Sequence, residues 1–156
     1  MQEKPLMKLW IDCEWNDFKG ELISMALVAE DGSEWYEVLK CANPSPWVVK
    51  HVMCVTQKSS VTKARMQVSL SKYLAKYRTV HIIADWPEDV ERFCALLITG
   101  PGEMLGLRQT RLTFEINRNL DSSESKIPHQ ALADARSMKL KYAQLPRHQQ
   151  QGTGEA

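Results

Sequence analysis

The sequence predicts an α/β protein in which a mixed five-stranded sheet is flanked by helices. Three apolar, strand-like segments joined by short turns open the chain, and they predict an antiparallel meander. Two further short apolar segments then alternate with segments whose apolar residues recur at helical spacing. Because helical crossovers favour parallel pairing, these later strands are expected to lie parallel to the first strand in the same sheet.

Length and composition indicate one ordinary domain. The chain has 156 residues, and we expect a single domain at 1–145 followed by a disordered polar tail at 146–156. The formal net charge of +1 means that any contact with nucleic acid must be local. The four cysteines form no C-x-x-C pair, which favours reduced thiols over a zinc site. Without a membrane-length apolar run or a signal-peptide pattern, we expect a cytoplasmic protein with no membrane partner.

The amino-terminal meander follows from its apolar runs and turn residues. Leu9, Trp10 and Ile11 form a run too short for a helix. Asp31-Gly32 is a strong hairpin signal, and the residues at 16–20 supply the preceding turn. The third segment has more polar neighbours and is expected to be partly exposed. The predicted strands span 8–12, 22–28 and 35–39.

The rest of the chain alternates between helix and strand. Pro87 suits the first turn of a helix, and Glu88 and Asp89 suit its positive end. Trp86, just before this helix, is expected in the core. A glycine-containing loop is predicted at 100–106 and a polar loop at 119–128. The predicted helices span 47–55, 61–77, 86 to about 98 and 131–145, and the predicted strands span 80–84 and 111–117.

Asp12 and Glu14 are the first candidate functional residues. Residues two apart on a strand point to the same face, so these carboxylates should project together. Two carboxylates held that close repel each other, and a hard divalent cation relieves the repulsion. Taken alone, this pair is more typical of a strand that ends in solvent, so other acids are needed to indicate a site.

Further acids occur at the ends of later elements. Asp85 closes the fourth strand and Asp89 lies one turn into the next helix, at the sheet edge where α/β sites form. Asp134 lies in the last helix, five residues after His129. On a regular helix these two side chains would point about 140° apart. We therefore place His129 before the helix, where Pro128 begins a new segment.

Together these residues resemble the three motifs of the DEDDh 3′–5′ exonucleases, a family of the ribonuclease H-like superfamily. The matching segments are DCE at 12–14, DWPED at 85–89 and HQALAD at 129–134. The resemblance covers about residues 8–142, and the segments ELISMALVAEDGSEWYEV and WVVKHV are similar to a small mycobacterial-type branch described as 3′–5′ exoribonucleases. The chain departs from the family where Trp15-Asn16-Asp17 replaces Thr-Thr-Gly and where Asp85 replaces Asn. Asp85 therefore stays an alternative to Asp89 as a metal ligand.

The resemblance implies a ribonuclease H-like fold and a metal-dependent 3′–5′ exonuclease that releases nucleoside 5′-monophosphates from single-stranded RNA. The implied catalytic residues are Asp12, Glu14, Asp89, Asp134 and His129. The four acids would hold two Mg²⁺ or Mn²⁺ ions, and His129 would accept a proton from the attacking water. Expected substrate-binding residues are the aromatic Trp15 and Phe18 beside the first motif, together with Trp47 and His51. Basic residues of the last helix, Arg136, Lys139 and Lys141, lie beside the expected site and could contact phosphates, with a solvated helix face as the alternative.

Two alternatives to an exoribonuclease stay open. A DNA 3′–5′ exonuclease of the same fold would carry the same residues. A catalytically silent nucleic-acid-binding module would instead use the acids only as polar strand ends. The sequence does not determine the oligomeric state, and it is compatible with a homodimer.

Overall fold

A five-stranded mixed sheet forms the centre of the protein, as predicted. The structure, a computed structural model, describes residues 6–109 and 111–150. Its strands are β1 (Met7–Trp15), β2 (Leu22–Ala29), β3 (Glu34–Val38), β4 (Val80–Ala84), β5 (Ile98–Gly100), β6 (Glu103–Met104) and β7 (Leu112–Ile116). The central sheet has the order β3-β2-β1-β4-β7, and β5 pairs with β6 in a separate hairpin.

Strand directions confirm the predicted combination of a meander with parallel strands. β2 is antiparallel to both β1 and β3, whereas β4 is parallel to β1 and to β7. β1 extends to Trp15, three residues beyond its predicted end, so Asp12 and Glu14 lie within the strand. The pairing of β1 with β4 stops at Trp10. Beyond that point Asp12 and Glu14 are paired only with β2, which leaves space beside them at the end of β4.

In the described part of the chain, four α-helices flank the sheet: α1 (Pro46–His51), α2 (Lys63–Leu74), α3 (Pro87–Leu97) and α4 (Ala131–Gln144). The side chains of Ser45 and Thr62 cap α1 and α2 by accepting backbone N–H bonds, which satisfies donors that a helix start leaves free. The continuous helix predicted at 47–55 was wrong, because α1 ends at His51 and a separate 3₁₀ turn covers Met53–Val55.

The predicted loop at 100–106 was also wrong in part, because it contains the second strand of the β5-β6 hairpin. The β-branched Ile98 adopts extended backbone angles and ends α3. Gly102 then supplies a positive φ of 69° in the turn between the two strands.

Side chains that alternate along β1 divide the core into two faces. Leu9, Ile11 and Cys13 pack in the main core together with buried residues of α2 and α3, including Met66 and Phe93. Trp10 points to the opposite face, where its ring meets the edge of Tyr142 of α4 at 5.3 Å. Asp12 and Glu14 share the α4 face by the same alternation.

The segment after α4 folds back onto the sheet. A 3₁₀ turn covers Arg147–Gln149, and the Asn117 Nδ2 donates a hydrogen bond to the Gln149 carbonyl at 2.7 Å. The remainder of the predicted tail, 151–156, lies outside the described residues, so its disorder stays a prediction. In the described ranges, no helix combines the length and the apolar composition needed to cross a membrane.

Phe93 should dominate the stability of the main core. It is fully buried on α3, and its ring meets the partly exposed ring of Phe114 at 5.9 Å. We expect Phe93→Ala to lower the free energy of unfolding by about 3–5 kcal/mol, because it leaves a cavity. Urea denaturation measures this loss. Phe114→Ala is the matched control and should cost clearly less, and equal losses for the two variants would contradict this assignment of the core.

Candidate metal centre

Asp12, Glu14 and Asp134 form the first carboxylate group. β1 directs Asp12 and Glu14 towards α4, and Asp134 lies in the first turn of that helix. One carboxylate oxygen from each residue lies within 4.8 Å of the others. A register shift between Glu14 and Trp15 interrupts the regular pairing of β1 with β2 just after this pair.

Asp12, Asp85 and Asp89 form a second group with the same spacing, also within 4.8 Å. Asp85 follows the end of β4, and Asp89 lies in the first turn of α3. The Asp89 Oδ1 accepts a hydrogen bond from the Cys13 backbone N–H at 2.9 Å, which ties α3 to β1. The structure thus brings both candidates of the ambiguous motif to Asp12, and Asp12 belongs to both groups.

Burial and mutual repulsion raise the pKa of these acids. Burial is the larger cause for Glu14, whose pKa rises to about 9, followed by the charges of Asp134 and Asp89. Burial followed by the charge of Asp85 raises the pKa of Asp89 to about 8. The pKa of Asp12 also lies well above its ordinary value, because it is buried and faces the other four acids. Without a counter-charge, the site therefore disfavours full ionisation.

The oxygen atoms of the site fit a divalent cation. The Asp12 Oδ2 and the Asp134 Oδ1 are buried, and neither has a hydrogen-bond partner among the described residues. A buried acceptor without a partner destabilises the fold unless a ligand satisfies it. Mg²⁺ and Mn²⁺ bind carboxylate oxygens, and a cation would also remove the repulsion between the acids.

His129 precedes α4, as predicted, and lies beside Asp134. It adopts a left-handed backbone conformation with a φ of 67°, which explains how the chain reverses before the helix. Its backbone N–H donates a hydrogen bond to the Asp134 Oδ2 at 3.2 Å. The side chain of His129 is partly exposed.

Trp47 and His51 of α1 surround the imidazole of His129. Their ring centres lie 5.2 Å and 6.1 Å from that of His129, and 4.6 Å from each other. Trp47 is half-exposed, so its ring also faces solvent. These two predicted substrate-binding residues therefore belong to the same cluster as His129.

Trp15 and Phe18 do not join this cluster. Trp15 packs against the main core on the side of α2 and α3, and the guanidinium of Arg92 lies 5.6 Å from its ring centre. Phe18 is 80% exposed in the turn after β1 and lines a cavity of about 390 Å³ together with Lys19 and Arg92. Their predicted contact with substrate stays a prediction.

The basic residues of α4 have structural partners. Arg136 pairs with Glu34 at 2.8 Å, and Lys141 lies 3.8 Å from Asp121. Lys139 donates a hydrogen bond to the Ala29 carbonyl at 2.8 Å. These contacts hold α4 against the meander and the preceding loop. The three basic side chains are therefore already engaged by groups of the protein.

Arg118 is the cation that sequence analysis missed. It donates a hydrogen bond to the Asp85 carbonyl, and its guanidinium lies 4.7 Å from the centre of the Trp86 ring. Trp86 is 46% exposed, so its predicted place in the core was wrong. The signal was available, because β7 ends beside β4 and parallel strands end at the same sheet edge.

Clustered carboxylates beside a histidine suit the hydrolysis of a phosphate ester, since cations held by the acids stabilise charge and the imidazole accepts a proton. Neither the family models nor the curated proteins compared with this chain match it. The functional proposal therefore depends on the side chains of the site and on the sequence motifs.

The stability of the metal-free protein should fall as the pH rises. The folded-state pKa values of Glu14 and Asp89, about 9 and about 8, exceed those of the unfolded chain, near 4. The stability that these protons contribute is therefore complete below about pH 4 and is lost as the pH rises through 8 to 9. We expect the Tm in EDTA to decrease between about pH 5 and 9, and excess Mg²⁺ to restore it most strongly at high pH.

Glu14→Gln is the matched control for this measurement, because it removes one titrating group. Its Tm should depend less steeply on pH in EDTA than that of the wild type, and Mg²⁺ should raise it less. A wild-type Tm that increases over this range without metal, or that does not respond to Mg²⁺, would contradict the assignment of a cation site.

Proposed function

We propose that the protein is a metal-dependent 3′–5′ exonuclease of ribonuclease H-like fold that releases nucleoside 5′-monophosphates from single-stranded RNA. The observation that carries this proposal is the position of Asp12, which belongs to two carboxylate groups. One of these groups contains Asp134, the hydrogen-bond partner of His129. The order of the central sheet, in which only β2 runs against the other four strands, supports the fold assignment. The preference for RNA over DNA rests on the sequence resemblance.

The acids would hold two divalent cations. Glu14 and Asp134 would bind one ion together with Asp12, and Asp89, or alternatively Asp85, would bind the other ion together with Asp12. When bound, Mg²⁺ or Mn²⁺ neutralises charge on the phosphate and lowers the pKa of water. The buried and unpartnered oxygens of Asp12 and Asp134 favour this role over that of a silent binding module.

His129 would act as the general base. Its backbone hydrogen bond to Asp134 keeps the residue next to the carboxylates, while the rings of Trp47 and His51 limit the directions available to its imidazole. The half-exposed Trp47 would in addition stack on a base of the substrate, since every base offers a flat face. In this position, His129 would accept a proton from the attacking water.

Other features agree with this proposal. The four cysteines are free, as predicted, and burial keeps the pKa of the Cys13 thiol well above its ordinary value. Unpaired cysteines fit the reducing cytoplasm in which we place the enzyme. Arg118, next to Asp85, is a cation available to a phosphate at the edge of the site.

The decisive experiment compares end-labelled RNA and DNA of the same sequence with Mg²⁺ or Mn²⁺ present. We expect stepwise shortening of RNA from the 3′ end, slower shortening of DNA, and resistance of RNA that carries a 3′-phosphate. Asp134→Asn is the control and should show no hydrolysis, because it removes a ligand charge. Cleavage of circular RNA would indicate an endonuclease instead, and the absence of any hydrolysis would support the silent binding module.

His129→Asn should lower kcat by about 10²- to 10⁴-fold, the usual effect of losing a general base. Asparagine tolerates the left-handed backbone of this position, so the chain reversal before α4 should be preserved. Calorimetry should find nearly unchanged Mn²⁺ affinity. His148→Asn, an exposed histidine in the final turn, is the control for nonspecific effects. A large loss of metal affinity in His129→Asn would show that His129 is a ligand and that the assigned role is wrong.

Asp89→Asn should reduce hydrolysis more than Asp85→Asn. Asp89 is 2% exposed and is oriented by the Cys13 N–H, whereas Asp85 is half-buried and lies next to Arg118, which partly balances its charge. An asparagine oxygen at position 89 can still accept the hydrogen bond from Cys13, so the fold should persist. Initial rates with saturating Mn²⁺ provide the comparison, and the reverse order would make Asp85 the ligand.

A further inference from the structure

A second cavity, of about 410 Å³, lies on the face of the sheet that is covered by α2 and α3. It forms where β2 begins, β3 ends and the first turn of α2 approaches α3. Asp134 lies on α4, which covers the opposite face. None of the five acids lines this cavity, although Asp89 lies on α3, the helix that bounds it. Its volume is in the range of about 300–1,000 Å³ that is typical of small-molecule sites.

Positive charge predominates around this cavity. Lys40, Lys63 and Arg92 line it, against Glu21 as the one acid. None of the three cations takes part in an ion pair among the described residues. Glu21 instead accepts a hydrogen bond from the Cys41 thiol at 3.2 Å. The lining therefore carries an excess of positive charge, which favours an anionic ligand.

One hydrogen-bond donor of the Arg92 side chain has no acceptor in the described part of the protein. Its guanidinium is held over the Trp15 ring, yet its Nε is buried and has no hydrogen-bond partner in the described part of the chain. A buried guanidinium nitrogen without an acceptor costs stability. Arg92 also lines the cavity, so an anion bound there would balance the charge of its guanidinium.

The start of α2 adds a further positive contribution. Thr62 caps the helix by accepting from the Arg65 backbone N–H, and the first turn contains Lys63 but no acidic residue. A cation at the positive end of a helix is unfavourable unless a negative group lies nearby. Helix starts with free N–H groups bind phosphate for the same reason.

The remaining walls are apolar and are contributed by Leu22, Leu39, Val61 and Leu96. An inorganic anion alone would leave this surface in contact with water. A ligand that joins one anionic group to a flat apolar body would cover both kinds of wall.

We propose that this cavity binds a phosphate monoester that carries a ring, namely a nucleoside monophosphate. The phosphate contacts Lys40, Lys63 and Arg92, and the ring covers the apolar wall. The choice of a nucleoside as the ring rests on the proposed function, whose product has this chemistry. The pairing of a phosphate with an apolar group rests on the cavity alone.

Calorimetric titration of the full-length Asp12→Asn variant in EDTA tests this proposal, because binding of nucleotide through metal at the carboxylate site is then removed. We expect uridine 5′-monophosphate to bind at least about tenfold more tightly than either uridine or inorganic phosphate, since each of these lacks half of the ligand. Lys63→Glu, added to this variant, should weaken nucleotide binding at least about tenfold. Lys72→Glu is the matched control, because it makes the same charge change in the last turn of the same helix, outside the cavity. The control variant should bind the nucleotide normally.

Ala95→Trp tests the apolar wall separately, because a large side chain at this lining position fills the cavity without changing its charge. We expect it to abolish the preference for the nucleotide over inorganic phosphate.

Absence of nucleotide binding, or equal losses in Lys63→Glu and Lys72→Glu, would overturn the proposal. Binding in this cavity by a protein that hydrolyses no nucleic acid would sustain it and overturn the exonuclease function alone.

Discussion

Repulsion among five buried or partly buried carboxylates at one corner of the sheet is the constraint on which the rest of the structure depends. Asp12, Glu14, Asp85, Asp89 and Asp134 come from two strand ends and two helix starts, and burial raises the pKa of each. Such an arrangement costs folding free energy, which the two-sided core must offset. Stability given up at one position in this way is typical of a functional site.

Backbone donors hold this corner together. The Cys13 N–H binds the Asp89 carboxylate, and the His129 N–H binds that of Asp134. The first contact joins β1 to α3, which are far apart in the sequence. The second joins the loop before α4 to the first turn of α4. The aromatic contacts of Trp47 then restrict the histidine in the same region.

The two faces of the sheet differ in charge, although the net charge of the chain is only +1. Asp12, Glu14 and Asp134 gather between β1 and α4, and Asp85 and Asp89 join them from the end of β4 and the start of α3. Lys40, Lys63 and Arg92 instead line the cavity between α2 and α3. β1 separates the two regions, since its alternate side chains point to opposite faces. The proposed metal site and the proposed anion-binding cavity therefore share no lining residue.

Sequence alone determined the class of the fold, the strands of the central sheet, most of the helices beside it, and the shared face of Asp12 and Glu14. These features follow from hydrophobic periodicity and turn residues, which act locally. The same alternation places Trp15 on the other face, so its separation from the acids was predictable too. Only the tertiary structure decided that Asp12 belongs to both carboxylate groups, that Asp85 and Asp89 both reach it, and that α1 brings its rings to His129. Those outcomes depend on where β4 ends and on where α1 and α3 lie relative to β1. Local periodicity contains no information about distances between elements far apart in the chain.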